Sequence, residues 1–194
     1  VKVVIVKYNA GNTESVKNAL KRLGIEPVLS DDVEVISTAD KVIFPGVGEA
    51  SSAMRYLRLK NLDRVIKSLK QPILGICLGM QLLCSYSEEN NTDCLHVFPY
   101  TVRKFEVDNL KVPQIGWNDI FDLKGALFNS VKENSFVYFV HSYYVELGED
   151  TTAKSEYGIE FSAAIEKENF YAVQFHPEKS GDVGEKILKN FLAL

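Results

Sequence analysis

Pro72-Ile73-Leu74-Gly75-Ile76-Cys77-Leu78-Gly79-Met80-Gln81-Leu82-Leu83 is the stretch from which the rest of the chain is read. Pro72–Ile76 is a fully apolar run of strand length, and Leu78–Tyr86 follows with a helical pattern. A strand turning straight into a helix across Gly-x-Cys-x-Gly has the layout of the G-x-S-x-G nucleophile elbow, with cysteine in place of serine. The chemistry explains the glycines. A nucleophile on a sharp turn needs small neighbours to clear strand and helix, and the turn strains its own backbone. It also sets the Cys77 sulfur at a helix N-terminus, where the dipole and free N–H groups favour thiolate. The Leu78 N–H is then placed to donate to an oxyanion.

Upstream, the same alternation repeats. Val1–Lys7 reads as a buried strand, and Thr13–Leu23 as a helix with Val16, Ala19, Leu20 and Leu23 on one stripe, stopping at Gly24. Pro27–Leu29 and Lys41–Phe44 are short strands, the second running into Pro45-Gly46-Val47-Gly48. Glu49–Leu69 reads as helix, broken near Lys60-Asn61. Strand–helix alternation of this kind implies crossover units on a parallel sheet with helices on both faces.

Downstream the chain is richer in strands. Leu95–Phe105 and Phe136–Val145 read as extended, with Gly116-Trp117-Asn118 as a loop between strands. Ile159–Glu166 and Phe170–Phe175 flank Glu168-Asn169 as a hairpin would, and Ser180–Leu194 closes as an amphipathic helix. The expected fold is therefore α/β. It has a mixed sheet with a parallel core, helices on both faces and an antiparallel extension, and residues 1–194 form one domain.

Phe170–Phe175 leads into His176-Pro177-Glu178, where proline stops the strand and leaves His176 at its C-terminal lip. In open α/β sheets that lip is where ligands bind. Glu178 can accept from one imidazole nitrogen and fix the tautomer, leaving the other nitrogen to face Cys77. A lone intracellular cysteine is more often a small buried hydrophobe than a nucleophile. A cysteine elbow together with a strand-end His-x-Glu is a different matter.

Composition narrows the classes. The net charge of −4, with both signs mixed along the chain, leaves no electrostatic footprint for nucleic acid or an acidic membrane surface. No apolar run approaches the roughly 18 residues of a membrane span. Val1–Val6 reads as a first strand and not as a signal peptide. Cys77, Cys84 and Cys94 are odd in number and lack CxxC spacing, which points to a reduced cytoplasmic protein with no metal site. Cys84 is assigned to helix packing, Cys94 to a loop and His96 to the surface.

Three segments together resemble the class I, triad-type glutamine amidotransferases. They are Phe44-Pro45-Gly46-Val47-Gly48, the Leu74–Leu83 elbow, and Val173-Gln174-Phe175-His176-Pro177-Glu178-Lys179-Ser180. The resemblance implies Cys77 as nucleophile, His176 as general base and acid, and Glu178 as its orienting carboxylate. It implies a second oxyanion amide at Val47 or Gly48, and glutamine binding by Gly46, Gln81, Ser142 and Tyr143. No cofactor is implied.

Pro-Gly-Val-Gly at 45–48, Val112-Pro113-Gln114-Ile115-Gly116-Trp117-Asn118 and Phe139-Val140-His141-Ser142-Tyr143 are similar, within that family, to the glutaminase subunits of imidazole glycerol phosphate synthase. This implies a heterodimer with a cyclase subunit, a (β/α)8 barrel, and a contact lined by Asn12, Trp117, Tyr138 and Lys179. The rivals are a glutaminase serving another synthase, such as that for pyridoxal phosphate or anthranilate, and a non-catalytic interaction subunit.

Overall fold

The computed structural model describes residues 1–194. Its first half alternates β1 (Val3–Val6), α1 (Thr13–Arg22), β2 (Val28–Ser30), α2 (Val33–Ser37), β3 (Lys41–Gly46), α3 (Ala50–Leu59), α4 (Leu62–Ser68), β4 (Ile73–Cys77) and α5 (Leu78–Leu83). The second half holds β5 (Tyr86–Ser87), β6 (Thr92–Asp93), β7 (Thr101–Lys104), β8 (Gln114–Ile120), β9 (Ser135–His141), β10 (Tyr143–Val145), β11 (Thr151–Glu156), β12 (Glu160–Lys167), β13 (Phe170–Val173) and α6 (Gly181–Leu192).

Eleven strands form one sheet in the order β2-β1-β3-β4-β13-β12-β10-β7-β5-β6, with β11 added on β12. From β2 to β13 every pairing is parallel, and from β13 through β12 and β10 to β7 the pairings are antiparallel. The expected parallel core with an antiparallel extension is the observed arrangement. β8 and β9 make a separate two-stranded antiparallel ribbon.

Strand alternation divides the interior. Val4, Val6, Val42 and Phe44 pack with α2, α3, α4 and α5, whereas Val3, Ile5, Ile43, Leu74 and Ile76 face α1 and α6. β1 and β4 are buried along their whole length, as strands covered on both faces must be. α6 buries Ile187, Leu188 and Phe191, each worth roughly 1.5–3 kcal/mol in apolar transfer. No helix is long and apolar enough to cross a membrane.

Several local expectations hold. Gly24 (φ 80°) follows the end of α1, Asn61 (φ 57°) separates α3 from α4, and Glu168 (φ 55°) turns the β12–β13 hairpin. Three need correction. The helix after Cys77 ends at Leu83, not Tyr86, because Cys84 is extended and the chain turns into β5. Only Thr101–Lys104 of the expected extended segment 95–105 is strand. The amides of Leu95, His96, Val97 and Phe98 bond instead to the carbonyls of Leu82, Cys84 and Leu83, wrapping that segment over the end of α5. Gly116-Trp117-Asn118 is no loop, since it lies within β8 and pairs residue for residue with β9.

Candidate active site

Parallel register brings the site together. Gly46 of β3 pairs with Cys77 of β4, and Ile76 pairs with Val173 of β13. The carboxyl ends of three neighbouring strands therefore deliver the Pro45–Gly48 loop, Cys77 and His176 to one edge, where open sheets bind ligands. Cys77 has φ 55° and ψ −112°, a conformation that costs a non-glycine residue about 1–3 kcal/mol. The tight turn needs small neighbours: a Cβ on Gly79 would stand 1.8 Å from the Phe44 carbonyl oxygen, and one on Gly75 would stand 2.8 Å from Leu83 Cδ1.

A cleft of about 260 Å³ opens above the cysteine. Its lining includes Val47, Gly48, Cys77, Leu78 and Gln81 together with His141, Ser142 and Tyr143. Gly46, expected to bind substrate, does not line the cleft, and a Cβ there would meet the Tyr8 hydroxyl and Leu78. His176 and Glu178 are buried and are not part of the cleft wall. Their side chains are joined at 2.8 Å through Nδ1 and Oε1, so Nδ1–H donates to the carboxylate and Nε2 is the nitrogen left to exchange a proton. Burial works against an imidazolium at His176, but Cys77 and Glu178 outweigh it and push its pKa up to about 10. The Cys77 thiol donates to the Val140 carbonyl at 3.6 Å and accepts from Gln174 Nε2 at 3.7 Å.

The oxyanion candidates differ in readiness. As first residue of α5, Leu78 has an N–H with no acceptor inside the helix. The Val47 N–H is committed to the Ala10 carbonyl, whereas Gly48, at φ 115°, has no such bond. Gln81 lines the cleft, yet its Nε2 points inward, bonding the Tyr143 carbonyl and Gln174 Oε1 at 3.0 Å each.

Two residues without an assignment in the sequence reading stand here as well. Glu89 is the only acid lining the cleft, held by the Ala50 N–H at 2.8 Å. Burial raises its pKa, the Ala50 bond lowers it and Glu49 raises it again, for a net upward shift. It sits on a short 3-10 turn, Glu89–Asn91, and the Ala50 bond ties it to the start of α3. Gln174 carried a signal in the sequence, a polar residue that alternation sets on the same side as His176, and it is completely buried.

His141 is structural in its contacts. Its Nδ1–H donates to the Tyr143 carbonyl at 2.7 Å and its Nε2 meets the Gln114 carboxamide at 2.8 Å. Burial lowers its pKa to about 4, against the Tyr143 bond and with help from His176. Its folded pKa lies below the ordinary 6.5. The unfolded chain therefore takes up a proton that the folded chain refuses as pH falls from 6.5 toward 4, and stability is lost over that window. The loss is on the order of 3 kcal/mol. Denaturant midpoints measured across that window should fall less steeply in His141→Asn than in the parent chain.

The remaining positions are peripheral. Trp117 is 55% exposed, with its ring edge-to-face on Tyr138 at 5.8 Å. Lys179 is exposed, and Asn12 is half-buried just before α1. Ser180 ties the ribbon to the site, accepting from the Tyr138 N–H and donating to the His176 carbonyl. Cys84 and Cys94 are buried, and His96 is exposed and paired with Asp93. No group of three or more His, Cys, Asp or Glu side chains gathers as a metal would require.

The glutamine amidotransferase class-I family model matches residues 4–194. The imidazole glycerol phosphate synthase subunit HisH of Bacteroides fragilis strain YCH46 is 57% identical, and that of Bacteroides thetaiotaomicron 54%, each alignment covering 100% of both chains. A crystal structure of a glutamine amidotransferase superposes with TM-score 0.76 at 21% identity, covering 98% of this chain and 97% of the other, a likeness of fold. A cysteine elbow and a buried His–Glu pair at the ends of neighbouring strands thus belong to a chain of the class-I glutamine amidotransferases, within the family of imidazole glycerol phosphate synthase subunit HisH.

Proposed function

We propose that residues 1–194 act as one domain, the glutaminase subunit of imidazole glycerol phosphate synthase. In this reading the chain hydrolyses glutamine and passes ammonia to a cyclase subunit in the cytoplasm. The observation that carries it is the juxtaposition of strained Cys77 with the buried His176–Glu178 pair, in a chain whose relatives bear that subunit's name.

Cys77 thiolate attacks the side-chain amide carbon of glutamine, and N–H groups of Leu78 and Gly48 receive the developing oxyanion. Donation from Val47 requires its amide to leave Ala10 first. His176, carrying the proton taken from the thiol, gives it to the departing nitrogen, and ammonia leaves a γ-glutamyl thioester. The same imidazole then takes a proton from water, whose oxygen adds to the thioester carbon. Glutamate departs and the thiol is restored. Glu178 keeps His176 in the required tautomer throughout. Gln81 with Ser142 and Tyr143 frames the amino-acid end of the substrate, and Glu89 supplies the anionic partner its ammonium needs. None of these steps calls for a cofactor.

The cyclase, a (β/α)8 barrel, would seat on the ribbon face around Trp117 and Tyr138, with Asn12 and Lys179 beside it. The test is glutamate release from glutamine, with and without a histidine-pathway cyclase and its nucleotide substrate. Strong stimulation by the pair is the expected result. Trp117→Ala and Lys179→Ala should each weaken the complex roughly 10-fold or more, as truncated anchors do. Turnover indifferent to the cyclase would move the chain to another synthase.

A further inference from the structure

Gln174 lies just beyond β13 with no exposed surface. A carboxamide so deeply buried needs partners at both ends, and it has them. Its Nε2 stands 3.7 Å from Cys77 Sγ, and its Oε1 stands 3.0 Å from Gln81 Nε2.

The direction of this chain is set at its far end. Gln81 Nε2 is also 3.0 Å from the Tyr143 carbonyl oxygen, and a carbonyl can only accept. The Gln81 group at that point is therefore NH2, and the Gln174 atom facing it is therefore oxygen. Gln174 must then turn its own NH2 toward the sulfur. A free carboxamide presents either end with equal ease, but reversing this one would set two buried donors against each other. The Tyr143 carbonyl is itself held by the His141 Nδ1–H at 2.7 Å, which anchors the relay in β9 and β10.

The same sulfur also meets the Val140 carbonyl oxygen, at 3.6 Å. That oxygen accepts the thiol proton and repels the thiolate left when the proton goes. We propose that Gln174 is a positioning residue for the nucleophile: its NH2, locked in direction by Gln81 and the Tyr143 carbonyl, holds the Cys77 thiolate against the Val140 oxygen. The inference rests on the reading of Cys77 as nucleophile. It adds that one amide chain links the substrate-side glutamine to the charge state of the sulfur.

Alkylation of Cys77 by iodoacetamide across a range of pH tests this, read as adduct on the Cys77 peptide by mass spectrometry in the full chain. Gln174→Met keeps the volume and removes the donor. Its alkylation midpoint should rise by about one pH unit, and its rate below that midpoint should fall roughly tenfold, the usual size of a hydrogen bond to a charged group. Gln174→Glu can still accept from Gln81 but sets a carboxylate against the sulfur, and its midpoint should rise further. If the methionine variant does not fold, the glutamate variant carries the test. A residue needed only for packing would change thermal stability and leave the midpoint alone, and an unchanged midpoint in the folded variants overturns the proposal. Alkylation needs no glutamine. Failure of the nucleophile assignment would show separately, as glutaminase activity surviving in Cys77→Ala.

Discussion

A Cys77→Ala protein is expected to release glutamate from glutamine at least about 10⁴-fold more slowly than the parent chain, because triad residues act as a unit and removing the proposed nucleophile forfeits nearly all that such a unit supplies. The two other cysteines cannot stand in. Cys84 and Cys94 are buried in the core against the carbonyls of Met80 and Thr92, and burial pushes both thiols up, Cys94 to about 12. Neither lines the cleft. The variant should nevertheless fold and bind glutamine, because alanine removes only one sulfur and the cleft walls come from other elements. The check is a glutaminase assay paired with a glutamine-binding measurement, and loss of both together would point to misfolding.

Glu178→Gln is expected to lower kcat by roughly 10³–10⁴, the scale seen when a triad carboxylate becomes an amide. Glu178 Oε1 is the sole partner of His176 Nδ1, at 2.8 Å, and the side chain is 1% exposed, so no solvent replaces the lost charge. An amide can still accept there, but it can equally present NH2 and force the wrong tautomer. Removing the negative charge also takes away one of the two influences that hold His176 up near 10, so its pKa should move down toward the ordinary 6.5. The pH profile of kcat/KM should shift accordingly, while KM changes little. A variant with parental kcat would remove Glu178 from the mechanism.

The fold class and the local geometry around Cys77 and His176 were more legible in the sequence than the way distant segments pack around them. Gly75 and Gly79 announce the turn at Cys77 because a Cβ on either would strike Leu83 or the Phe44 carbonyl, and glycine is the residue that signals such crowding. His176-Pro177-Glu178 is equally local, since proline ends the strand and two residues suffice to join imidazole and carboxylate. Trp117 was misread because Gly-Trp-Asn has turn composition, whereas its strand conformation comes from pairing with Tyr138, which is distant in sequence. The early end of α5 is likewise tertiary: the Leu95–Phe98 amides claim the carbonyls that a longer helix would have used. Glu89 and the Val47–Ala10 bond depend on contacts 39 and 37 residues apart, which no local pattern encodes.

The measurement that bears most directly on the account is an acid quench of the protein during glutamine turnover, followed by peptide mass spectrometry. The account predicts a γ-glutamyl adduct, glutamine less ammonia, on the peptide holding Cys77, absent without glutamine and removed by hydroxylamine as a thioester should be. Turnover with no adduct on that peptide, or with the adduct on Cys84 or Cys94, would contradict it.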